Sequence, residues 1–537
     1  MRWQSAPIFM DTSESLPQHD KIQVYFNHNR QSSYMDPYRG HQRLGDNLEQ
    51  VIIEAIESAQ SQIDVAVQEL RSPLIAKALR DRHQAGVKVR VVLENTYSRA
   101  WSDYGAAEVS ALDDRLRSRY EENFQLIDQD ENQILATEEI ANFDAIKILK
   151  NANIPMLDDT EDGSKGSGLV HHKFVIVDRQ TVVTTSANFT LSDLHGDLHI
   201  PHSQGNANSL IVIEDAAIAQ AFSQEFNLLW GDGPGGNPNS QFGVNKPHRP
   251  TEYFAVGDAQ IWVKFSPDSA SIDWENTSNG FIEQQLAKSQ EQINLALFVF
   301  SEQQLANRLA IVHKQGVKIK ALIDKSFAFR PFSEGLDLLG VALSQNSDES
   351  SSCQVEAANQ PWPISLKTVG TPKMMPGDLL HHKFAVIDQE MVIMGSHNWS
   401  VAANKTNDET LVAIAHPTVA KHYQREFDRL YTNSRLGLPD HIQDRWETTL
   451  AQCPNILQFP VEESEESQAS SSALININQA TQEELEALPG IGPKIAIAIM
   501  DARETQAFTT LEDLDQVPGI GPKTLETIRD RITFSDN

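Results

Sequence analysis

One short pattern occurs twice in this sequence, at residues 170–188 and 380–398. Each copy has a histidine two residues before a lysine, an aspartate five residues after that lysine, and a Ser-x-Asn sequence further on. Apolar, mostly β-branched residues follow the lysine, which predicts a strand with a side-chain period of two. The first histidine and the lysine therefore share one sheet face, and the second histidine points the other way. The repeat constrains the chain to two equivalent units, each with a base beside a fixed cation.

Ten residues form the two copies of the predicted catalytic site: His171, Lys173, Asp178, Ser186 and Asn188, and His381, Lys383, Asp388, Ser396 and Asn398. The aspartates have the opposite parity to the lysines in a straight strand, so we interpret Asp178 and Asp388 first as positioning groups. At one position of the frame the first copy has Thr185 and the second has Gly395. Because threonine does not easily adopt a positive φ, we expect the geometry around Ser186 and Asn188 to be altered.

This pattern resembles the duplicated catalytic signature of the phospholipase D superfamily. The resemblance implies one shared active site that hydrolyses phosphodiesters and requires no cofactor or metal. One imidazole attacks phosphorus to give a phosphohistidine, and the other protonates the leaving group and then activates water. The lysines and asparagines hold the phosphoryl oxygens.

The superfamily also places a carboxylate downstream of the motif to orient a histidine. Glu409 stands at this position in the second copy, and Asn208 stands at the matching position in the first. If each group serves its own copy, an amide orients His171 without raising its pKa, and a carboxylate favours the imidazolium of His381. We therefore predict that His171 is the nucleophile and His381 the general acid.

The duplication extends beyond the motifs. The helix and strand patterns of residues 47–93 recur at 282–323, and the strand and closing helix after each motif are repeated as well. This alternation predicts an α/β fold of two pseudo-symmetric lobes, each a helix-flanked mixed sheet with largely parallel strands. The predicted division is a polar tail (1–21), a first lobe (22–230), a Gly- and Pro-rich linker (231–252), a second lobe (253–437), a connecting segment with an acidic Ser-rich linker (438–473) and a small all-α domain (474–537).

A helical insert at about 99–165 makes the first lobe longer than the second. Within it, Asp128, Asp130, Asn132 and Glu139 occupy positions 1, 3, 5 and 12 of a loop similar to the calcium loop of an EF-hand. Gln133 stands where such loops need glycine for a sharp turn. A structural calcium site and a solvated acidic helix-turn-helix are both open interpretations of this insert.

The C-terminal segment contains the sequence Pro-Gly-Ile-Gly-Pro-Lys twice, at 489–494 and 518–523. It resembles the tandem helix-hairpin-helix module of bacterial DNA-uptake competence proteins. The resemblance implies that backbone N–H groups at helix N-termini bind DNA phosphates with a lysine beside them. The predicted DNA-backbone-binding residues are Gly490, Gly492, Lys494, Gly519, Gly521 and Lys523. Because acidic residues outnumber basic ones here, we expect weak, salt-sensitive binding; a hairpin kept for protein contacts is the alternative.

Composition restricts the partners and the compartment. The net charge of −30 opposes long-range attraction to DNA or to an acidic membrane, so a phosphate site has to be a local positive pocket. Two cysteines, Cys353 and Cys453, cannot form a disulfide framework, which fits a reducing compartment. No apolar run is long enough for a signal peptide or a membrane span. We expect a cytoplasmic protein without a transmembrane segment, active as a monomer because one chain holds both motifs.

Two enzymatic functions fit these observations. A nuclease-like phosphodiesterase acting on DNA is favoured by the C-terminal hairpins and by the lack of an amphipathic membrane anchor. The alternative is a phospholipase D that converts glycerophospholipids such as phosphatidylcholine to phosphatidate, or a phosphatidyl transfer like that of cardiolipin synthase. A non-catalytic DNA-binding scaffold is a third hypothesis, and the intact His, Lys, Asp, Ser and Asn of both copies argue against it.

Overall fold

The chain divides into two compact units, Met1–Phe459 and Pro460–Asn537. The structure, a computed structural model, describes residues 15–453 with gaps at 161–162, 164–165, 199, 201, 345–354 and 356–358, and residues 475–534 with gaps at 481–484, 486–487, 489–490, 492, 506–507, 515–516, 518–519, 522–523, 526–527 and 530–531. Each unit has its own hydrophobic core.

The first lobe of the larger unit contains a seven-stranded sheet in the order β1-β9-β8-β7-β4-β5-β6. Its strands are β1 (Ile22–Phe26), β2 (Ser33–Met35), β3 (Gln42–Leu44), β4 (Gln62–Val67), β5 (Lys88–Leu93), β6 (Met156–Asp158), β7 (Lys173–Val177), β8 (Thr181–Thr185) and β9 (Ser209–Glu214). Its helices are α1 (Leu48–Ser58), α2 (Pro73–Gln84), α3 (Ala106–Ala111), α4 (Asp114–Ile127), α5 (Thr137–Phe143), α6 (Ala145–Asn151), α7 (Leu191–Leu194) and α8 (Ala216–Trp230). Strands β2 and β3 form a separate small hairpin.

The second lobe repeats this arrangement in a nine-stranded sheet, β10-β11-β19-β17-β16-β12-β14-β15-β20. Its strands are β10 (Glu252–Val256), β11 (Ala259–Ser266), β12 (Gln292–Leu297), β13 (Phe300–Ser301), β14 (Lys318–Ile323), β15 (Val369–Thr371), β16 (Lys383–Ile387), β17 (Met391–Gly395), β18 (Trp399–Ser400), β19 (Glu409–Ala415) and β20 (Arg435–Leu436). Its helices are α9 (Ser278–Leu286), α10 (Gln303–Lys314), α11 (Glu334–Leu338), α12 (Val401–Lys405), α13 (Pro417–Thr432) and α14 (Asp440–Gln452). Strands β13 and β18 pair with each other outside this sheet.

The α/β fold of two duplicated lobes is confirmed, but the sheets are not largely parallel. Only β4, β5 and β6 run parallel in the first sheet, and β12, β14 and β15 in the second. The motif strand instead turns straight back as a β7–β8 or β16–β17 hairpin. Asp178 and Arg179 in the first hairpin, and Asp388 and Gln389 in the second, all have positive φ values, which tight two-residue hairpin turns require.

The two lobes share one continuous core. A single hydrophobic cluster joins Phe174 and Phe222 of the first lobe to Phe265, Phe384 and Tyr423 of the second. The opposite faces of the sheets form separate clusters, covered by α1 and α2 in the first lobe and by α9 and α10 in the second. The two sheets therefore hold their motif strands in a fixed relation to each other.

The smaller unit was predicted as all-α and is mainly helical. It contains β21 (Ile475–Asn476), β22 (Ile532–Thr533), α15 (Pro493–Thr505) and α16 (Leu511–Leu514). The two short strands pair in parallel and join the start of the unit to its end. Buried Ile477, Leu485, Ile499 and Ile528 contribute to its core.

Two further observations bear on the environment of the chain. Among the described residues, no helix has the length and apolar character needed to cross a membrane. Cys453 is disulfide-bonded, and the one other cysteine of the sequence, Cys353, lies outside the described residues.

Candidate active site

The two His-x-Lys segments meet where the lobes join. His171 and His381 each stand two residues before the first residue of a central motif strand, β7 or β16. The backbone N–H of His171 donates to the carbonyl of Asp408 at 2.9 Å, and that of His381 donates to the carbonyl of Ala207 at 3.1 Å. Each histidine is thus held by a backbone hydrogen bond from the opposite lobe, and the two copies form one site.

The groups that orient the histidines are exchanged between the lobes. Nδ1 of His171 lies 2.7 Å from Oε2 of Glu409, and Nδ1 of His381 lies 3.0 Å from Oδ1 of Asn208. Because both partner atoms are acceptors, each histidine carries its proton on Nδ1 and leaves Nε2 free for chemistry. The prediction that each group serves the histidine of its own copy was wrong. The backbone hydrogen bonds to Asp408 and Ala207 explain why the partners come from the opposite lobe. Ala207 and Asp408 directly precede Asn208 and Glu409, so each orienting group is brought beside the histidine of the other copy.

The serines of the motif fix these orienting groups. Ser186 donates to Oδ1 of Asn208 at 2.7 Å, and Ser396 donates to Oε2 of Glu409 at 2.6 Å. Asn208 is held further, because its side-chain N–H groups donate to two backbone carbonyls at 3.1 Å each. Each serine therefore supports the partner in its own lobe, which in turn orients the histidine of the other lobe.

Thr185 leaves the geometry of the first copy unchanged, contrary to the expectation from its sequence. The hydroxyl of Thr185 donates to the carbonyl of Ser209 at 2.6 Å. At the matching position Gly395 has a φ of +144°, and a Cβ there would lie 2.2 Å from the carbonyl oxygen of Thr410. The first copy has space for a side chain at position 185, whereas the second has none at position 395. The two copies therefore differ at this position although Ser186 and Ser396 make equivalent contacts.

The motif lysines stand two residues after His171 and His381, and the motif asparagines follow the neighbouring strands β8 and β17. Lys173 and Lys383 are buried, and each Nζ donates to the backbone carbonyl of the histidine two residues before it, at 2.9 and 2.8 Å. The side-chain oxygens of Asn188 and Asn398 are buried without a hydrogen-bond partner among the described residues. An amide oxygen only accepts hydrogen bonds, so the groups here that can bind a phosphate oxygen are the two lysines and the side-chain N–H groups of the two asparagines.

The two motif aspartates lie at the other end of the motif strands. Asp178 accepts backbone N–H groups of residues 60–62 at 2.7–2.9 Å, and Asp388 accepts those of residues 290–292 at 2.7–2.8 Å. Asp178 is seven residue steps from His171, about 23 Å of extended chain. The prediction that Asp178 and Asp388 belong to the catalytic site was wrong, and the interpretation as positioning groups holds only for the turn before β4 or β12.

Burial controls the charge of the site. Burial, followed by Lys173 and Lys383, holds the pKa of His171 well below its usual range, and burial with the same lysines acts likewise on His381. Burial also lowers the pKa of Lys173 to about 8 and that of Lys383 well below its usual range. Both imidazoles are therefore neutral at neutral pH, and a bound phosphate anion would favour protonation of the groups around it.

The second histidine of each motif belongs to the core. His172 lies 3.2 Å from Glu225 of α8, and His382 lies 3.0 Å from Glu426 of α13. Nζ of Lys246 contacts Glu225 and also lies 2.7 Å from Asp408, so a cation already fills the space between these carboxylates. The opposite orientation predicted for His172 and His382 is confirmed.

Several further side chains reach the site without a signal in the motif: Gln68, Arg119, Asp193, Phe298 and Asp324. Gln68 accepts from Lys173 at 3.3 Å, whereas the matching Phe298 places its ring 4.9 Å from Nζ of Lys383 and packs against the imidazole of His381. Asp193 accepts the backbone N–H of Asn188 at 2.7 Å. Gln68 and Phe298 each follow the strand that pairs with a motif strand, which is the signal by which the sequence could have indicated them.

The EF-hand-like loop has the shape expected of it. One oxygen each from Asp128, Asp130 and Glu139 lie within 4.8 Å of one another, and Gln133 adopts a φ of +66°, as the missing glycine would. Asn132 donates to Asp128 and Asp130 through its backbone N–H at 3.1 and 3.2 Å. Calcium binding at this loop stays a prediction.

Most of the predicted DNA-binding residues of the hairpins, Gly490, Gly492, Gly519 and Lys523, lie outside the described residues. Lys494 is in the first turn of α15. Gly521 is described and its φ is not positive. A Cβ added there would meet no described atom within 4 Å, and DNA binding by these residues stays a prediction.

Comparison with known families gives two matches. A family model described as "Cardiolipin synthase, PLD-like domain" matches residues 52–230 and 282–431, which include both lobes. A model described as "Helix-hairpin-helix motif" matches residues 470–533. The resemblances carried by the duplicated motif and by the C-terminal repeat are thereby confirmed.

Individual proteins resemble parts of this chain. Mitochondrial cardiolipin hydrolase of Xenopus laevis is 29% identical over 189 residues, which are 35% of this chain and 78% of that protein. Phospholipase D of Rickettsia typhi is 30% identical over 155 residues, 29% of this chain and 63% of that protein. The crystal structure of phosphatidylserine synthase from Haemophilus influenzae covers 82% of this chain and 95% of its own, with 12% identity and a TM-score of 0.47. That structural similarity is too low to indicate a shared substrate.

Proposed function

Since this chain belongs to the PLD-like domain family of cardiolipin synthase, we propose that it hydrolyses phosphodiester bonds of nucleic acid through a phosphohistidine. The observation that carries the proposal is the crossed pair of histidines. His171 and His381 each have a free Nε2, and each is oriented from the opposite lobe by Glu409 or Asn208. Two such groups beside two lysines supply a nucleophile, an acid and a phosphate cradle.

The bound phosphate anion first favours protonation of His381 on Nε2, which gives an imidazolium. In the first half-reaction, Nε2 of His171 attacks phosphorus, and the bond from phosphorus to the leaving oxygen breaks as this imidazolium donates its Nε2 proton to that oxygen. In the second, His381 takes a proton from water, the water oxygen attacks phosphorus, and the phosphorus–nitrogen bond breaks. Lys173, Lys383 and the side-chain N–H groups of Asn188 and Asn398 hold the phosphoryl oxygens during both steps.

The observed partners of the two histidines favour His171 as the nucleophile. A phosphorylated imidazole that keeps its Nδ1 proton is a cation, and the buried carboxylate of Glu409 stabilises this cation for the lifetime of the intermediate. Nδ1 of His381 has the neutral amide of Asn208 as its hydrogen-bond partner at 3.0 Å, with Oδ1 of Asp193 further away at 3.8 Å, so its imidazolium is a stronger acid than one hydrogen-bonded to a carboxylate. Under the sequence-based expectation that a carboxylate suits the acid, the observed partners would reverse the two roles.

A trapping experiment separates the two assignments. His381→Ala should accumulate a phosphohistidine on His171 with a nitrophenyl phosphodiester, because this leaving group does not need the acid and the second step then lacks its base. Mass spectrometry of rapidly quenched protein locates the label. A stable label in His171→Ala but not in His381→Ala would assign the nucleophile to His381.

The C-terminal hairpins favour nucleic acid as the substrate. The helix-hairpin-helix match at 470–533 covers a unit with a core of its own, and backbone contacts there would raise the local concentration of DNA at the catalytic lobes. Removal of residues 460–537 should weaken cleavage of long DNA, with less effect at high salt, and leave a small chromogenic diester unaffected. Gly521→Val tests the same contact without truncation, because its side chain would fill the open space that a phosphate needs.

The second candidate is hydrolysis of phospholipid or phosphatidyl transfer. It is favoured by the 29% identical cardiolipin hydrolase and by the description of the matching family. Purified protein offered labelled single-stranded DNA, duplex DNA, phosphatidylcholine and cardiolipin distinguishes the candidates. Turnover of lipid without turnover of either DNA would reject the nucleic-acid proposal.

A further inference from the structure

A groove on the second lobe concentrates positive charge in a chain of net charge −30. It has a volume of about 820 Å³, and its lining includes Lys325, Lys373 and Arg435. All three side chains are exposed. The ion pairs among described residues of this lobe use other cations, such as Arg308 with Glu283 and Arg429 with Glu426. Of the described residues that line the groove, Asp440 is the one carboxylate.

The groove lies along the sheet edge that carries His381. Strands β12, β14 and β15 are parallel, so their carboxyl ends share one edge, and β16 begins at that edge because Lys383 pairs with Leu297. Lys325 stands two residues after β14, and Lys373 two residues after β15. Crevices beyond the carboxyl ends of parallel strands are common ligand sites in α/β proteins.

A direct contact links the groove to the catalytic segment. Asp324, the neighbour of Lys325, accepts the backbone N–H of Leu380 at 2.8 Å, and Leu380 immediately precedes His381. On the other side, residues 373–380 form the segment that leads from Lys373 to the histidine. The groove therefore starts beside the scissile position.

The dimensions suit a polymer rather than a single diester. Three strand spacings separate β16 from β15, which is about 14 Å at about 4.8 Å per spacing. At about 3.4 Å per phosphate in a stacked strand, this span corresponds to about four nucleotides. A substrate with one phosphate at the histidines cannot reach the cations of the groove.

The lining also fits an unpaired strand. Phe329 and Met374 are half-buried among the cations and present apolar surface. Grooves that combine cations along a backbone with side chains on which bases stack are typical of single-strand binding. At the corresponding edge of the first lobe, the uncharged Asn95 and Thr160 stand two residues after β5 and β6, where the second lobe has its two lysines after β14 and β15.

We propose that this groove holds the backbone phosphates of a single nucleic-acid strand on one side of the bond to be cleaved. The proposal rests on the proposed function and adds a substrate form, single-stranded, and a direction, since the strand leaves the site over the second lobe only.

The test neutralises the three cations together in the full-length protein. The groove variant is Lys325→Gln/Lys373→Gln/Arg435→Gln, and its matched control, Lys288→Gln/Lys318→Gln/Lys421→Gln, removes the same charge from exposed positions elsewhere on this lobe. The substrates are a chromogenic diester, a dinucleotide and a longer single strand. For the longer strand we expect the groove variant to raise KM about tenfold and to flatten the plot of log affinity against log salt by about 2. Turnover of the two short substrates, and all values for the control, should match the parent.

The outcomes separate this inference from the proposed function. If the parent cleaves the chromogenic diester and no nucleic acid, the proposed function fails. If the parent cleaves the longer strand and the groove variant does so with the same KM and salt dependence, the groove inference alone is overturned. If the groove variant instead loses turnover of anionic phospholipid vesicles while retaining that of nucleic acid, the groove serves a membrane surface and the inference is again overturned.

Discussion

The two lobes share one topology but differ in the ionisable residues at the same sheet edge. In the first lobe Glu94 and Asp159 are buried; burial and then Asp159 raise the pKa of Glu94 to about 7, and burial raises that of Asp159 to about 6. In the second, the exposed Lys325 and Lys373 follow the corresponding strands. The residues around the two histidines match closely between lobes, whereas this edge has buried carboxyl groups in one lobe and exposed cations in the other. A duplicated fold can thus keep two equivalent motifs and still differ in charge at one edge.

The strongest way to break this comparison is to remove one histidine at a time. His171→Ala and His381→Ala should each lower turnover of natural diesters by about 1,000-fold or more, because neither lobe holds a complete acid and nucleophile. Steady-state kinetics on a labelled substrate measures this. Substantial activity in either variant would mean that each lobe acts alone.

Exchanging the one residue at which the motif copies differ tests the packing difference. Gly395→Thr should cost about 3 kcal/mol of unfolding free energy or more, since its Cβ would overlap the carbonyl of Thr410. Thr185→Gly should cost only about 1 kcal/mol through a lost hydrogen bond. Urea unfolding compares the two, and equal losses would contradict the asymmetry.

The orienting groups give the next largest expected effect. Glu409→Gln should lower kcat by about 10- to 100-fold on every substrate, because the phosphoimidazolium on His171 loses its counter-charge. Asn208→Ala should lower kcat/KM for natural diesters but leave kcat/KM for nitrophenyl diesters near the parent value, since forming the phosphohistidine from a nitrophenyl diester does not need the acid that Asn208 orients. The opposite pattern would exchange the roles of the two histidines.

The pH profile follows from the lowered pKa of both histidines. His171 stays neutral through neutral pH, so no activity is gained there by deprotonation. The acid His381 has to be protonated, and that fraction falls about tenfold per pH unit above its pKa. We expect kcat/KM for natural diesters to fall as pH rises, whereas kcat/KM for nitrophenyl diesters should not change with pH. In Asn208→Asp the added carboxylate raises the pKa of His381, so the fall for natural diesters should begin at higher pH. A rise with pH would contradict this.

Calcium should have the smallest effect. If it binds at Asp128, Asp130, Asn132 and Glu139, calcium should stabilise the insert without changing turnover, because the loop begins nine residues along the helix from Arg119, about 13 Å at 1.5 Å per residue. Calorimetry of the parent against Asp130→Asn measures the binding. Absence of heat at millimolar calcium would leave an acidic helix-turn-helix.

Sequence alone predicted the repeated elements well, because their periodicity is local. The helix and strand patterns expected over residues 47–93 appear as α1 (Leu48–Ser58), β4 (Gln62–Val67), α2 (Pro73–Gln84) and β5 (Lys88–Leu93). The parity of His171 and His172 was also predictable, since it depends only on the alternation of side chains along a strand.

The remaining features depend on contacts between distant segments. The exchange of Asn208 and Glu409 follows from the crossing of two segments at the lobe junction, and a predicted pseudo-two-fold axis could have indicated it. The charge of the groove arises from residues 325, 373 and 435, which no local pattern connects. The sequence could not show that Thr185 and Gly395 support the same motif geometry, because the space available to a Cβ at each position depends on tertiary packing.

The crossed partners make each half of the gene dependent on the other. A polypeptide ending in the 231–252 linker would contain His171 without Glu409, and the remaining polypeptide would contain His381 without Asn208. Neither fragment has a correctly oriented base, so activity becomes a direct report of fragment reassociation. The same dependence ties the evolution of one repeat to that of the other, because a substitution at position 208 acts on a histidine encoded 173 codons downstream.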